Sequence, residues 1–300
     1  MLYIAWSPVY AHPLPECHLF PMAKYDLIPE QLLYEGTIQA IQLHAPLPAS
    51  DSDILLTHDG TYWHRLKNLL LSPQEIRRTG FPHDLALVHR EQVITQGTFD
   101  CAIQALQHGV AMNASGGTHH AFRDRGEGFC LLNDIAFAAN KLLNEGRCRQ
   151  ILVVDLDVHQ GNGTADIFNG NPSVFTFSMH CEANYPMLKE RSDLDIGLPI
   201  GTEDKLYLDI LMGHLPWLIE EIQPDFIFYL SGVDILETDK LGRMKVTRDG
   251  CKRRDAFVFQ IAKKNRIPVV VSMGGGYSPR ISDIVEAHCN TFRLAQEIFF

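Results

Sequence analysis

Four short apolar runs, interspersed with helix-like segments, most constrain how this chain can fold. The runs are ILVVDLD (151–157), SVFTFSM (173–179), FIFYLSG (226–232) and PVVVSMGGG (268–276). Their length and composition are typical of strands that are buried on both faces of a parallel sheet. Helices are predicted at residues 132–146, 207–222 and 248–265. Strands that alternate with helices predict a three-layer α/β fold, with a mainly parallel sheet between two layers of helices.

The chain has 300 residues and contains no low-complexity linker, internal repeat or long block of charge. This length is compatible with one large domain, and we expect a single domain over residues 1–300. The first 100 residues are less regular and contain many prolines and histidines. We expect this part of the chain to decorate the sheet rather than to build it.

The net charge of −10 at pH 7 argues against a broad nucleic-acid interface, because such an interface needs a basic face. No apolar run approaches the roughly 20 residues of a membrane span. The first residues lack the basic segment of a signal peptide. Seven cysteines are scattered without a C-x-x-C pair, which does not resemble a disulfide framework. We therefore expect a cytoplasmic protein that makes no direct contact with nucleic acid.

The first apolar run ends in an unusual cluster of polar residues, DLDVHQGNG. Asp155, Asp157 and His159 are two residues apart, so they point to one side of an extended segment. A catalytic zinc commonly has three protein ligands and one open position. Asp157 and His159 are candidates for two of them, and Asp234 after the third run is a candidate for the third. The alternative is that Asp155 and Asp157 cap a turn or the following helix.

Two adjacent histidines, His119 and His120, follow a pair of glycines. Imidazole titrates near neutrality, so these rings suit proton transfer beside a metal. A polar partner behind each ring would fix its tautomer. Asp155 is a candidate for one partner and Asn162 for the other. The alternative is chance adjacency, since the chain contains 14 histidines.

The remaining histidines are interpreted as surface or hydrogen-bonded core residues. This group contains His58, His64, His83, His89, His108, His214 and His288. His180 follows the second apolar run, and we expect it in the core or at the rim of a site rather than as a metal ligand.

The fourth apolar run ends in Gly274-Gly275-Gly276-Tyr277. Glycines allow the backbone to approach a ligand closely, and the hydroxyl of Tyr277 could donate to a developing oxyanion. Phe129, in the segment GEGFC, is a candidate wall of an apolar slot. The alternative is that the glycines only form a turn and the aromatic rings only pack.

Five ordered motifs, GGTHHAF, GEGFC, DLDVHQGNG, SGVDILETDKLG and GGGY, resemble the histone deacetylase superfamily. The wording of DVHQGNG and DILETDKLG is most similar to the class IV branch and its bacterial relatives. Weaker similarity at residues 17–28 and 283–295 extends the resemblance over nearly the whole chain. It implies the arginase/deacetylase fold and a zinc-dependent amidohydrolase.

The resemblance also implies individual roles. The metal ligands would be Asp157, His159 and Asp234. His120 would be the general base and acid, His119 its electrostatic partner, and Tyr277 the residue that polarises the scissile carbonyl. Asp155 and Asn162 would stand behind His119 and His120, respectively. The walls of the acyl-lysine channel would be Gly128, Phe129 and Tyr185. A structural potassium ion would bind near Asp155, Asp157, His159, Ser178 and Met179.

Two positions depart from the common pattern of the superfamily. Many relatives have aspartate where this chain has Asn162, and a neutral amide is expected to leave His120 less basic. Bacterial relatives often read HRFPM where this chain reads HLFPM. Leu19, in place of arginine, is therefore expected to alter a cavity wall or an exit path of the inner pocket.

The sequence thus predicts hydrolysis of an N-acyl amide, with acetyl- or longer acyl-lysine in a protein or peptide as the expected substrate. The cofactor would be zinc, or ferrous iron in the cell. Three alternatives stay open at this point. They are deacetylation of a small amine such as an acetylpolyamine, a ureohydrolase with two manganese ions, and a non-catalytic protein that binds acyl-lysine. The ureohydrolase would need a further acidic ligand shortly after His159, where the chain reads HQGNG.

Overall fold

Eight parallel strands form one sheet at the centre of the computed structural model, which describes residues 1–300. The strands are β1 (Tyr3–Ala5), β2 (Leu43–His44), β3 (Val110–Asn113), β4 (Ile151–Asp155), β5 (Val174–Cys181), β6 (Leu194–Leu198), β7 (Phe226–Leu230) and β8 (Val269–Ser272). Their order across the sheet is β2-β1-β3-β8-β7-β4-β5-β6. Because every neighbouring pair is parallel, the carboxyl ends of all the strands lie along one edge.

Ten α-helices flank this sheet. They are α1 (Lys24–Tyr34), α2 (Asp51–Ile54), α3 (Gly60–Lys67), α4 (Pro73–Thr79), α5 (Leu85–His108), α6 (Asp134–Asn144), α7 (Asn162–Phe168), α8 (Asp204–Ile222), α9 (Arg248–Asn265) and α10 (Ile281–Phe299). Two short 3-10 turns cover Pro8–Tyr10 and Ala40–Gln42. The predicted α/β fold is confirmed, and the three predicted helices correspond to α6, α8 and α9. No helix has both the length and the apolar character needed to cross a bilayer.

The central strands lack an alternating pattern because they are covered on both faces. Every residue of β4, β7 and β8 is buried. Val154 of β4 pairs with Phe177 on one side and with Tyr229 on the other. Continuous burial of β-branched and aromatic side chains explains why these strands read as uniformly apolar runs. All seven cysteines are free thiols, as expected from their spacing.

The expectation that the first 100 residues only decorate the sheet is wrong. Ile4 of β1 pairs with Met112 of β3 and with Leu43 of β2, so this part of the chain supplies one side of the sheet. It also supplies the 24-residue helix α5, which packs against α6 and β3. Strands of two or three residues are too short to produce a periodic signal, which is why the sequence does not reveal them. The strands β3 and β6 also lack a recognisable apolar run, because β3 reads VAMN and β6, an edge strand that is mostly not buried, reads LDIGL.

The predicted strands also extend too far at their carboxyl ends. β4, β7 and β8 stop at Asp155, Leu230 and Ser272, two to four residues before the predicted ends at 157, 232 and 276. The residues beyond these points leave the ladder and enter the loops at the carboxyl edge. These loops therefore carry the polar residues that the sequence had assigned to strand ends.

A buried arginine on α9 ties two of these loops together. Arg254 is fully buried and donates from Nη1 to the backbone oxygens of Leu156 (3.2 Å) and Gly232 (2.6 Å). Its Nε donates to the adjacent Asp255 carboxylate (2.8 Å). Asp255 is also buried and accepts a further hydrogen bond from Thr291 (2.7 Å). The charge of Arg254 is thus compensated by Asp255. The Arg254 side chain also fixes the segments that follow β4 and β7.

We expect Arg254→Leu to lower the free energy of unfolding by about 3–5 kcal/mol, because it leaves the Asp255 carboxylate buried without its cation. The matched control is Arg253→Leu, which changes the exposed neighbouring arginine on the same helix. Urea unfolding followed by circular dichroism measures both variants. Equal stability of the two variants would show that the Arg254 network contributes little.

Candidate active site

Four adjacent strands of the sheet supply the loops of the candidate site. In the order β3-β8-β7-β4, these loops carry His119-His120, Tyr277, Asp234 and the pair Asp157 and His159. The residues come from distant parts of the sequence. They lie at one edge because ligands of open parallel sheets bind outside the carboxyl ends of the strands.

Asp157, His159 and Asp234 form a buried cluster, and one potential ligand atom from each lies within 4.8 Å of the others. The Nδ1 atom of His159 lies 3.0 Å from Asp157 Oδ1 and 3.2 Å from Asp234 Oδ2. The second oxygen of each carboxylate accepts a backbone N–H, from Gly275 to Asp157 Oδ2 (2.8 Å) and from Val158 to Asp234 Oδ1 (3.0 Å). Asp234 Oδ2 accepts no well-formed hydrogen bond, although it is buried.

The two buried carboxylates of this cluster favour a positive charge beside them. Burial and the neighbouring Asp157 carboxylate raise the pKa of Asp234 to about 7. Burial opposes a charge on His159, but Asp157 and Asp234 outweigh it and raise the pKa of His159 to about 10. Two carboxylates and one imidazole are donors that zinc and ferrous iron accept. The unpaired Asp234 oxygen and this donor set fit a divalent cation.

Only glycine fits beside this cluster. A Cβ atom on Gly275 would lie 1.9 Å from Asp234 Oδ2 and 2.9 Å from Asp157 Oδ2. The glycine run is therefore required by the close approach of its backbone to the carboxylates, and not only by a turn.

The tandem histidines have different partners. His119 donates from Nδ1 to Asp155 Oδ2 (2.7 Å), whereas His120 donates from Nδ1 to Asn162 Oδ1 (2.6 Å). The centroids of the two rings are 4.1 Å apart, and both side chains are buried. With Nδ1 engaged, the Nε2 atom of His120 is left to accept a proton.

Because their surroundings differ, the pKa values of His119 and His120 shift in opposite directions. Burial alone would lower the pKa of His119, but the Asp155 carboxylate outweighs burial and raises it. Burial and the charges of His119 and His159 hold the pKa of His120 well below its usual value, against a weaker contribution from Asn162. At neutral pH, His120 is therefore the neutral ring and His119 the one that favours charge.

Tyr277 is held by a carboxylate that the sequence did not single out. Its backbone N–H donates to Asp239 Oδ2 (2.6 Å), while Asp239 Oδ1 accepts from the backbone N–H groups of Leu241 and Gly242 (both 2.8 Å). Asp239 thus joins the loop after β7 to the loop after β8. Burial and the charges of nearby carboxylates keep the pKa of Tyr277 well above its usual value. The Tyr277 hydroxyl consequently stays protonated and can donate.

Gly128, Phe129 and Tyr185 line one cleft of about 500 Å³ that leads towards His120 and His159. The ring of Tyr185 meets the ring of His120 edge-on, with centroids 4.9 Å apart. A Cβ atom on Gly128 would lie 2.8 Å from His120 Cδ2, so a side chain there would collide with the ring. The structure therefore brings all three predicted channel residues to the same opening.

The residues predicted to bind potassium lie on β4, on β5 and in the loop after β4. Asp155 pairs with Ser178 across these two strands, and Met179 is buried beside them. The Ser178 hydroxyl lies 2.9 Å from His180 Nδ1. His180 is a core residue, in agreement with its interpretation from the sequence, and the potassium site stays a prediction.

Leu19 does not line the inner cavity beside the tandem histidines, whereas its expected effect on an exit path stays a prediction. Its side chain is 68% exposed and lines a surface groove beside Tyr277. The inner cavity is lined by Arg90 of α5. Next to the glycine loop, the buried Lys24 donates from Nζ to the backbone oxygen of Gly274 (2.9 Å). Sequence analysis did not single out Lys24 or Arg90, because each is an isolated basic residue within a helix.

One histidine departs from its predicted role. His288 of α10 is buried, but neither ring nitrogen has a hydrogen-bond partner. Burial and the charges of Lys24 and Arg254 hold its pKa well below its usual value. His288 is therefore a neutral core residue without the expected hydrogen bonds. By contrast, both ring nitrogens of His58 have backbone partners, as predicted for a satisfied core histidine.

Comparisons with known proteins identify the family to which the chain belongs. The model of the family described as Histone deacetylase domain matches residues 18–292. An uncharacterized protein of Picosynechococcus sp. is 43% identical over 296 residues, which cover 99% of each chain. Histone deacetylase 2 of Arabidopsis thaliana is 30% identical over 275 residues, which cover 88% of this chain and 70% of that protein.

Two further relatives extend the comparison. Acetoin utilization protein AcuC of Staphylococcus aureus is 28% identical over 282 residues, which cover 86% of this chain and 72% of that protein. The crystal structure of the HDA15 HD domain matches with a TM-score of 0.81 over 96% of this chain and 89% of that chain, at 19% identity. This similarity supports the arginase/deacetylase fold. The match over residues 18–292 and the Arabidopsis relative show that the chain belongs to the histone deacetylase family.

Proposed function

We propose that this protein is a metal-dependent amidohydrolase that removes acetyl or longer acyl groups from lysine side chains of proteins or peptides. Membership of the histone deacetylase family supports deacetylase activity. The observation that carries the finer proposal is the buried cluster of Asp157, His159 and Asp234, which lies beside a neutral His120. A buried cluster with unsatisfied charge beside a neutral imidazole is typical of a hydrolytic centre.

In this proposal, Asp157, His159 and Asp234 hold a divalent cation, which is zinc or, in the cell, ferrous iron. Such a cation supplies Lewis-acid polarisation of the scissile carbonyl and lowers the pKa of water. One potential ligand atom of each residue lies within 4.8 Å of the others, Asp234 Oδ2 among them has no hydrogen-bond partner, and Gly275 leaves room beside the two carboxylates. No acidic residue follows His159 closely, so a second metal of the ureohydrolase kind lacks a ligand.

His120 would remove a proton from the attacking water through Nε2 and later deliver it to the leaving lysine amine. Its Nδ1 bond to Asn162 fixes the tautomer that this transfer needs. His119, which Asp155 makes more basic, would supply positive charge next to the developing oxyanion. The different roles follow from different partners, because the two rings share the same burial.

Tyr277 would donate its hydroxyl hydrogen bond to the oxyanion that forms on the acyl carbonyl. Asp239 fixes the backbone of Tyr277 and thereby the direction of the hydroxyl. Gly128, Phe129 and Tyr185 would enclose the aliphatic part of the lysine. We also propose that residues 1–300 act as one catalytic domain, since all eight strands join one sheet. The potassium site belongs to the same proposal.

We expect Tyr277→Phe to lower kcat on an acetyl-lysine peptide on the order of 10²–10³-fold, because one oxyanion donor is lost. The matched control is Tyr34→Phe, which removes a hydroxyl from an exposed tyrosine of α1. Release of acetate from the purified variants measures both rates. Undiminished turnover of the Tyr277 variant would contradict the role of its hydroxyl.

Removal of the metal should abolish hydrolysis, and one equivalent of zinc per chain should restore it. Zinc should also raise the thermal unfolding midpoint of the wild type, because the ion binds only the folded state. Asp234→Ala should lose this shift, whereas Asp249→Ala, an exposed residue of α9, should keep it. Activity that survives chelation, or two metal ions per chain, would contradict the single-metal mechanism. Retention of acyl peptides without release of acid would favour a binding protein.

Asn162→Asp should move the acid limb of the kcat/KM profile to higher pH. The wild-type pKa of His120 is held well below its usual value, so the neutral base persists as the pH falls, and activity is lost only when the pH passes that depressed pKa. A carboxylate at position 162 stabilises the charged ring and raises this pKa. Asn169→Asp, at the exposed end of α7, is the control with the same change of charge. An acid limb at the wild-type position would show that His120 does not control it.

A further inference from the structure

The lysine and arginine side chains that line the two surfaces at the opening of the channel have no acidic residue among the other lining residues. Arg78 and Arg243 line the cleft that leads to His120, and Lys240 lines the groove on the other side of Tyr277. No aspartate or glutamate lines either surface. This is a local reversal of sign, because the whole chain carries a net charge of −10. We call Arg78, Lys240 and Arg243 the basic mouth.

The three cations of the basic mouth are available to a ligand. Lys240 and Arg243 are exposed, and neither forms an ion pair within the protein. Arg78 is 42% exposed, and its only acidic neighbour is Glu127 at 4.0 Å. Glu127 is itself engaged by Arg125 Nε (2.9 Å) and by the Tyr185 hydroxyl (2.8 Å). The positive charge at the opening is therefore largely uncompensated.

The backbone of Arg243, one member of the basic mouth, is connected to the candidate metal site through Asn184. Arg243 donates its backbone N–H to Asn184 Oδ1 (3.1 Å), and Asn184 Nδ2 lies 3.5 Å from His159 Nε2. Leu241 and Tyr277 line both the cleft and the groove, so these two surfaces adjoin at the opening. A peptide whose acylated lysine enters the channel would lay its flanking residues along this surface.

We propose that the basic mouth selects acyl-lysine flanked by aspartate or glutamate, so that the preferred substrate is an acidic peptide segment. This inference rests on the proposed deacylase function and specifies its substrate class. Carboxylates on either side of the lysine meet Arg78 and Arg243 in the cleft and Lys240 in the groove. Complementary charge contributes mainly to specificity and to the rate of association. The same charges repel polyamines and lysine-rich segments, which are cationic.

The test compares three acetyl-lysine peptides of equal length, whose flanking residues are glutamate, alanine or lysine. For the wild type, we expect kcat/KM to fall in that order, with each step about three- to tenfold, as is typical of exposed charge contacts. The preference should shrink as salt is raised from about 50 mM to about 500 mM, because exposed charges are screened. The double variant Lys240→Glu/Arg243→Glu should reverse the order.

The control is Lys264→Glu, an exposed lysine at the end of α9 and at the opposite edge of the sheet, which should keep the wild-type order. Arg243→Ala is the milder variant if the double variant does not fold, and it should reduce the preference for glutamate. Binding of the same fluorescent peptides is measured in parallel by anisotropy. Acid-selective binding without hydrolysis would overturn the proposed function but support the basic mouth. Equal binding and turnover of the three peptides, or no binding, would overturn the basic mouth.

Discussion

Burial of two carboxylates at one point of the sheet edge is the constraint on which the rest of the structure depends. Asp157 and Asp234 are almost completely buried and face the same imidazole. Like charges at this separation raise the free energy of the folded chain unless a cation compensates them. His159 can supply that charge as a proton, and a divalent metal can supply more of it. A divalent cation bound among these residues would therefore lower the electrostatic cost of burying the two carboxylates.

Several other features of the site serve to hold that arrangement. Arg254 restrains the loops after β4 and β7 by their backbone oxygens, and Asp239 joins the loop after β7 to Tyr277. Backbone N–H groups of Gly275 and Val158 each donate to one oxygen of a carboxylate, and the second oxygen of Asp234 has no hydrogen-bond partner. Groups held by backbone contacts need little reorganisation during a reaction, which favours catalysis. The scaffold thus orients the charges in advance.

Much of this site could be predicted because titratable side chains directly follow the apolar runs that form the central strands. The apolar run at 151–155 is followed within four residues by Asp157 and His159, a pattern typical of a buried strand that ends at a functional edge of a parallel sheet. Two histidines in sequence suggested a pair, and the structure gives each ring its own partner. The parallel sheet then explains why Asp234, far away in the chain, joins them.

The parts that escaped prediction depend on tertiary contacts with no local signal. Strands β1 and β2 are too short for periodicity, and they are recognised only by their pairing with neighbours. Lys24 looks like a surface lysine of an amphipathic helix, yet it is buried against the glycine loop. The local pattern around Leu19 likewise does not show that its side chain is largely exposed to solvent. Burial of single polar side chains follows from the packing of distant segments, which the local pattern does not contain.

The most direct test of the metal centre is anomalous diffraction from crystals that contain zinc, recorded on both sides of the zinc absorption edge. The account predicts one strong anomalous peak per chain, located among the side chains of Asp157, His159 and Asp234. A map with no peak there, with the three side chains turned away from one another, would contradict it.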